Sequence, residues 1–135
     1  MNTAREQSEQ STIDYYEIRK EVSDLHASEK VFLPRILFPG AKVLDVGCAS
    51  GGFFNIMRTL EPLIEYTGVD IAEPALQLAR KNYPDAKFEI IDGIELPFED
   101  NTFDIVVSWD ALHYNGSRDA VQTTIKELHR ILKPG

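Results

Sequence analysis

Asp45, Asp70 and Asp92 each lie at or just after the end of an apolar run, and Asp45 leads directly into a glycine-rich turn. The turn sits in Val43-Leu44-Asp45-Val46-Gly47-Cys48-Ala49-Ser50-Gly51-Gly52-Phe53. Val43 to Val46 has the apolar, β-branched character of a buried parallel strand. Gly47, Gly51 and Gly52 supply a loop whose backbone can approach a ligand with no Cβ in the way. Phe53, Phe54, Ile56, Met57 and Leu60 then keep the spacing of an amphipathic helix. Strand, glycine turn and helix together make a nucleotide-binding corner, because backbone N–H groups at the helix start face the ligand.

The dinucleotide fingerprint G-x-G-x-x-G does not fit this turn. Counted from Gly47 it needs glycines at 49 and 52, and position 49 is Ala. A second strand, Ile64 to Asp70, ends in a carboxylate 19 residues beyond Gly51. In doubly wound folds an acidic residue at this place grips ribose hydroxyls. A carboxylate accepts two hydrogen bonds from vicinal hydroxyls and repels a 2′-phosphate. The competing role for Asp70 is to cap the helix that opens near Pro74.

Further along, Ala86 to Ile91 reads as a third strand, followed by Asp92-Gly93-Ile94-Glu95-Leu96-Pro97-Phe98 and the polar turn Glu99-Asp100-Asn101. Phe103 to Trp109 is a fourth strand, and Leu128-His129-Arg130-Ile131-Leu132-Lys133-Pro134-Gly135 closes the sequence. Taken in order, these segments resemble the class I S-adenosylmethionine-dependent methyltransferases. The first motif of that family, an acidic residue and then Gly-x-Gly-x-Gly, is matched by Asp45, Gly47, Ala49 and Gly51, with Ala49 the one departure. D-x-x-x-L-P-F followed by F-D-x-V, and a helix ending L-x-R-x-L-K-P-G, are also family features. The resemblance runs from about residue 40 to Gly135.

The resemblance implies S-adenosylmethionine as cofactor and a methyl group passed in-line from its sulfonium to a nucleophile, with positioning as much of the catalysis. The backbone of Gly47, Cys48 and Gly51 would cradle the methionine part. Asp45 would act through its charge toward the ammonium, directly or through water. Asp70 would take the ribose hydroxyls and Ile71 would pack on the adenine face. Asp92 would accept from the exocyclic amine, with Gly93 and Ile94 at the ring nitrogens. Ser108, Trp109 and His113 would stand near the sulfonium and the acceptor, an acidic and aromatic setting that suits a cation. His113 is the candidate general base because its ordinary pKa lies near neutrality, the alternative being that His113 and Tyr114 only line the pocket. Tyr15 and Tyr16 are either a lid or core contacts, and His129 is structural.

The elements that must position these residues alternate strand, helix (73–83), strand, loop, strand, helix (118–132). This pattern predicts an α/β, Rossmann-like, doubly wound and mainly parallel sheet of strand order 3-2-1-4, with family strands 5–7 missing. Residues 1–11 read as a polar, disordered tail and 12–38 as an N-terminal helical cap, with helices from Thr12 and from Ser28, the second distorted by Pro34. Residues 39–135 form the cofactor-binding core. Strand four is expected as an apolar edge (Ile105, Val106, Val107) open to self-association.

A net charge of −8 and scattered basic residues argue for a small-molecule acceptor and against nucleic acid. No 18-residue apolar run or secretory leader is read, so no membrane partner is expected and the cytoplasm is the expected compartment. The single Cys48 fits a reducing compartment, and filling a tight corner is preferred to a redox role. The three histidines lack metal-ligand spacing. Two other readings remain: a nicotinamide-dependent oxidoreductase, and a non-catalytic binding or assembly module that keeps the fold.

Overall fold

The computed structural model describes residues 19–92, 95–108 and 117–135. Four parallel strands form one sheet: β1 (Lys42–Val46), β2 (Glu65–Asp70), β3 (Lys87–Ile90) and β4 (Ile105–Ser108), in the order β3-β2-β1-β4. The helices are α1 (Ala27–Ile36), α2 (Gly52–Leu60), α3 (Glu73–Asn82) and α4 (Arg118–Ile131). The α/β class and the strand order are as the sequence predicts.

Successive strand residues point to opposite faces, and the two faces are closed by different elements. Val43, Tyr66 and Phe88 pack with Leu33 of α1, Phe53, Phe54, Ile56 and Met57 of α2, and Leu76 and Ala79 of α3. Leu44, Val46 and Val69 point the other way, onto Leu96, Phe103 and Ile131, with Leu128 of α4 beside them. Helices on both sides of a parallel sheet leave its carboxyl edge as the place for a ligand. Fully enclosed side chains such as Leu33, Ile56, Met57 and Leu76 contribute about 1.5–3 kcal/mol each.

Strand and helix ends fall within a residue or two of the predicted spans, mostly inside them, while β1 and α1 each begin one residue earlier, as ends fray. One expectation is corrected outright. The helix predicted from Thr12 to include Val22 and Leu25 is, over its described part, a 3-10 turn at Val22–Asp24 entered from extended Glu21. The Asp24 carboxylate accepts from the N–H of Lys20 (3.1 Å) and Glu21 (2.9 Å), a local side-chain bond that competes with helix. The second predicted helix is α1, which continues through Pro34 for two residues. Ser117 caps α4 by accepting from the N–H of Ala120 at 3.1 Å, as its position predicts.

Candidate functional site

The glycine turn is held from β2. The N–H groups of Gly47 and Cys48 both donate to the Val69 carbonyl, at 2.8 and 3.0 Å. Ala49 N–H donates to Asp70 Oδ2 at 2.9 Å. Ala49, the one departure from the family glycines, adopts φ 49° in the left-handed region. For an L-residue that costs about 1–2 kcal/mol, and the bond to Asp70 holds it there.

Asp70 therefore has a structural part in the turn. Its Oδ1 also accepts from Ala72 N–H at 2.9 Å, ahead of α3, which has no side-chain cap of its own. Asp70 thus ties the glycine turn to the start of α3. A carboxylate has about four acceptor positions, so two remain for hydroxyls. The next residue, Ile71, is 69% exposed, an apolar surface open beside the carboxylate.

Asp45 is the opposite case, only 1% exposed. It pairs in register with Gly68, two positions before Asp70, and so lies deeper under the turn. Tyr66 Oη donates to Asp45 Oδ2 at 2.6 Å, while Oδ1 is buried with no partner. Burial pushes the carboxyl pKa up to about 7, the Tyr66 hydrogen bond pulling it down and the nearby Asp70 adding to the rise. The same burial, with Asp45 beside it, raises the Tyr66 phenol well above its ordinary value. Cys48 is buried too, and its thiol is pushed well up by burial and by the two aspartates. A thiol kept protonated fills the corner rather than reacting.

Two of the glycines are explained by packing as well as by open backbone. A Cβ on Gly51, whose φ is +84°, would meet the Phe88 ring at 2.8 Å and Tyr83 at 3.0 Å. A Cβ on Gly52 would stand 2.0 Å from the Arg19 carbonyl oxygen. The chain crosses there, held by Asn55 Nδ2 donating to the Lys20 carbonyl at 2.7 Å and by the Arg19–Glu29 ion pair. Carbonyls placed at the start of a helix are favoured by its dipole.

The remaining predicted residues divide. Ile91 N–H donates to the Asp70 carbonyl at 3.0 Å, which brings exposed Asp92 to the carboxyl edge just beyond Asp70. The Ser108 hydroxyl is buried without a partner at the end of β4, on the face of Val46 with which it pairs. Asp45 faces the other way. Gly93, Ile94, Trp109 and His113 lie outside the described residues, as do Tyr15, Tyr16 and Tyr114.

Sequence reasoning misses Tyr66 and Arg130. Tyr66 reads as a strand residue, and its phenol gives no signal because its partner stands 21 positions away. Arg130 belongs to the closing motif. It donates to the carbonyls of Phe98 (2.8 Å) and Leu96 (3.2 Å) and to Asp100 (2.8 Å) and Glu127 (2.6 Å). Glu127 in turn accepts from Leu96 N–H at 3.0 Å. This clamp joins the Leu96-Pro97-Phe98 segment to α4.

Fold and site thus define a doubly wound nucleotide-binding domain with an acidic carboxyl edge. The family model for a methyltransferase domain matches residues 43–135. The chain belongs to this family, whose cofactor is S-adenosylmethionine. Probable tRNA methyltransferase 9B of Mus musculus is 30% identical over 97 residues, 72% of this chain and 20% of that protein. The phthiotriol/phenolphthiotriol dimycocerosates methyltransferase of Mycobacterium tuberculosis is 34% identical over 99 residues, 71% of this chain and 35% of that protein. A solved Haloferax volcanii complex between the Trm112 methyltransferase activator and its methyltransferase partner superposes with a TM-score of 0.72 at 28% identity. That match covers 98% of this chain and 54% of the solved one. The chain therefore spans between a fifth and about half of these three proteins.

The residues present fit the cofactor. Buried Asp45 Oδ1 and Ser108 Oγ lack partners, Asp70 keeps acceptor positions, and Ile71 offers a bare apolar surface. Among the described residues no helix is long and apolar enough to cross a membrane.

Proposed function

We propose that this chain is the cofactor-binding part of an S-adenosylmethionine-dependent methyltransferase acting on a small molecule. The observation that carries the reading is the succession of Asp45, Asp70 and Asp92, in or just after three adjacent strands, around one glycine turn. The bound cofactor would supply an electrophilic methyl group on a sulfonium. The chain would hold it, with Asp70 on the ribose hydroxyls, Ile71 against adenine, Asp92, Gly93 and Ile94 at the ring edge, and the turn of Gly47, Cys48 and Gly51 at the methionine part. Ser108 and Trp109 would stand near the sulfonium and the acceptor, and His113 would take the acceptor's proton. Residues 12–38 act as a cap and 39–135 as the core.

The test is calorimetric titration of the full chain with S-adenosylhomocysteine and with NAD. The first should bind and the second should not. Asp70→Ala should weaken binding by about 1–3 kcal/mol, the cost of leaving buried polar groups unpaired. An unchanged affinity refutes the assigned role.

A second reading has a specific observation behind it. One relative is named as a tRNA methyltransferase and one neighbour is held by a Trm112 activator. In that reading the acceptor is tRNA and a small activator protein completes the enzyme. The net charge of −8 supports the small molecule, since contact with a phosphate backbone rests on clustered Lys and Arg. Labelled methyl transfer into tRNA rather than into low-molecular-weight extract would decide for the second reading.

A further inference from the structure

The pair formed by Asp45 and Tyr66 has a geometry that packing alone does not demand. Two groups that could each hold a full complement of hydrogen bonds are buried together, and the pair leaves one carboxylate oxygen with no donor. Buried acceptors are satisfied in nearly all native proteins, so an orphan asks for a reason. The oxygen lies under the glycine turn, on the strand beside Asp70. Building on the cofactor reading above, we propose that Tyr66 is a positioning residue that keeps Asp45 as a proton-linked counter-charge. Asp45 holds its proton more tightly when the site is empty and surrenders it to solvent when a cationic cofactor is bound.

The consequence is discrimination by charge. S-adenosylmethionine carries a sulfonium cation, and the thioether left after methyl transfer does not. Both keep the ammonium, so an ionised carboxylate favours both but gives more to the compound that carries the sulfonium as well, and the site holds substrate more tightly than product. The groups facing Asp45 are consistent with this. From β2 come the Tyr66 phenol and the Asp70 carboxylate, and from the turn the protonated Cys48 thiol. From α3, Arg80 reaches Cys48, and just beyond it Tyr83 reaches Tyr66, both weakly. The buried residues that α2 contributes to this core are apolar, and on β4 the residue registered with Asp45 is Val107. No cation in this set lies against Asp45 itself, so one arriving with a ligand changes its balance strongly. The poise near pH 7 puts the change within the range where it can be measured.

Titration calorimetry of the full chain, in two buffers of different ionisation enthalpy from about pH 5.5 to about pH 8.5, tests it. Below the midpoint, binding S-adenosylmethionine should release close to one proton, and affinity should rise up to about tenfold per pH unit. S-adenosylhomocysteine should show a flatter profile. Asp45→Asn should abolish both the release and the slope. Tyr66→Phe removes the donor that favours the carboxylate and should move the midpoint up by about one pH unit. Absence of proton release, equal slopes for the two ligands, or a slope that survives Asp45→Asn would each overturn the inference while leaving the cofactor reading intact. Failure of both ligands to bind at any pH overturns the cofactor reading and this inference with it. If Tyr66→Phe does not fold, the proton count of the unmodified chain and Asp45→Asn still decide.

Discussion

The two faces of the sheet are closed by different physics. On the face of β1 that carries Asp45, closure is by volume. Phe54 lies 4.8 Å from Tyr66 and 5.7 Å from Tyr83, and Tyr66 lies 5.9 Å from Phe88, centroid to centroid. Arg58 covers the cluster at 5.0 Å from the Phe54 ring, a cation–π contact. Gly51 and Gly68 are small because these rings and Cys48 occupy the space where a Cβ would go. On the opposite face the core is smaller among the described residues, and much of the connection between Leu96 and Asn101 is held by the polar clamp of Arg130. The first arrangement makes the glycine turn rigid from below. The second holds a loop by directional bonds, which yield locally without disturbing the rest.

If this contrast is right, a methyl group on the first face should do more harm than loss of a charge on the second. Gly51→Ala combines a left-handed backbone with a clash against Phe88 and should destabilise by about 3 kcal/mol, read from the urea midpoint. A loss under a third of that would mean the aromatic floor is soft and the contrast fails.

Next in size is the pH dependence of Asp45. Its native pKa is raised above the unfolded value, so the native state binds the extra proton. Its favourable contribution is complete below the unfolded pKa near 4 and is lost as pH rises through about 7. From about pH 5 to about pH 8 the protein should therefore lose roughly 2 kcal/mol relative to Asp45→Asn. Parallel stability curves for the two proteins would show that Asp45 is not buried as described.

Ala49→Gly should relieve the left-handed strain and stabilise by roughly 0.5–1 kcal/mol, a gain that differential scanning calorimetry can resolve. Smallest in global effect is Arg130→Met, which should speed amide exchange from Leu96 to Asn101 while leaving Gly47 to Gly52 protected. Equal loosening of both segments would erase the distinction between the faces.

Much of the fold is legible because it is written locally. Val43 to Val46 and Ile105 to Val107 are apolar runs too short for helices, and Ser117 caps a helix whose period is unbroken. The turn at Val22 to Asp24 escapes such a reading because Asp24 bonds back to Lys20 and Glu21, a choice that hydrophobic spacing does not reveal. The candidate site is legible in its acidic residues and glycines, since the carboxyl ends of parallel strands gather their loops along one edge. Their division of labour is not. Asp45 and Asp70 are the same residue type at the same sort of place, yet one is buried and poised near pH 7 while the other lies at the open edge holding two backbone donors.

From order and type along the chain alone came the strand sequence, the glycine turn, the acidic edge and the family, because each depends on neighbours a few positions away or on a spacing that the parallel crossover imposes. The tertiary structure decided which carboxylate is dry, which oxygen lacks a donor, why Gly51 and Gly52 bear no side chain, and that Arg130 fastens a loop about 30 positions upstream. Those are matters of distance and exclusion of water between residues remote in sequence, and they exist only once the sheet has brought its strands together.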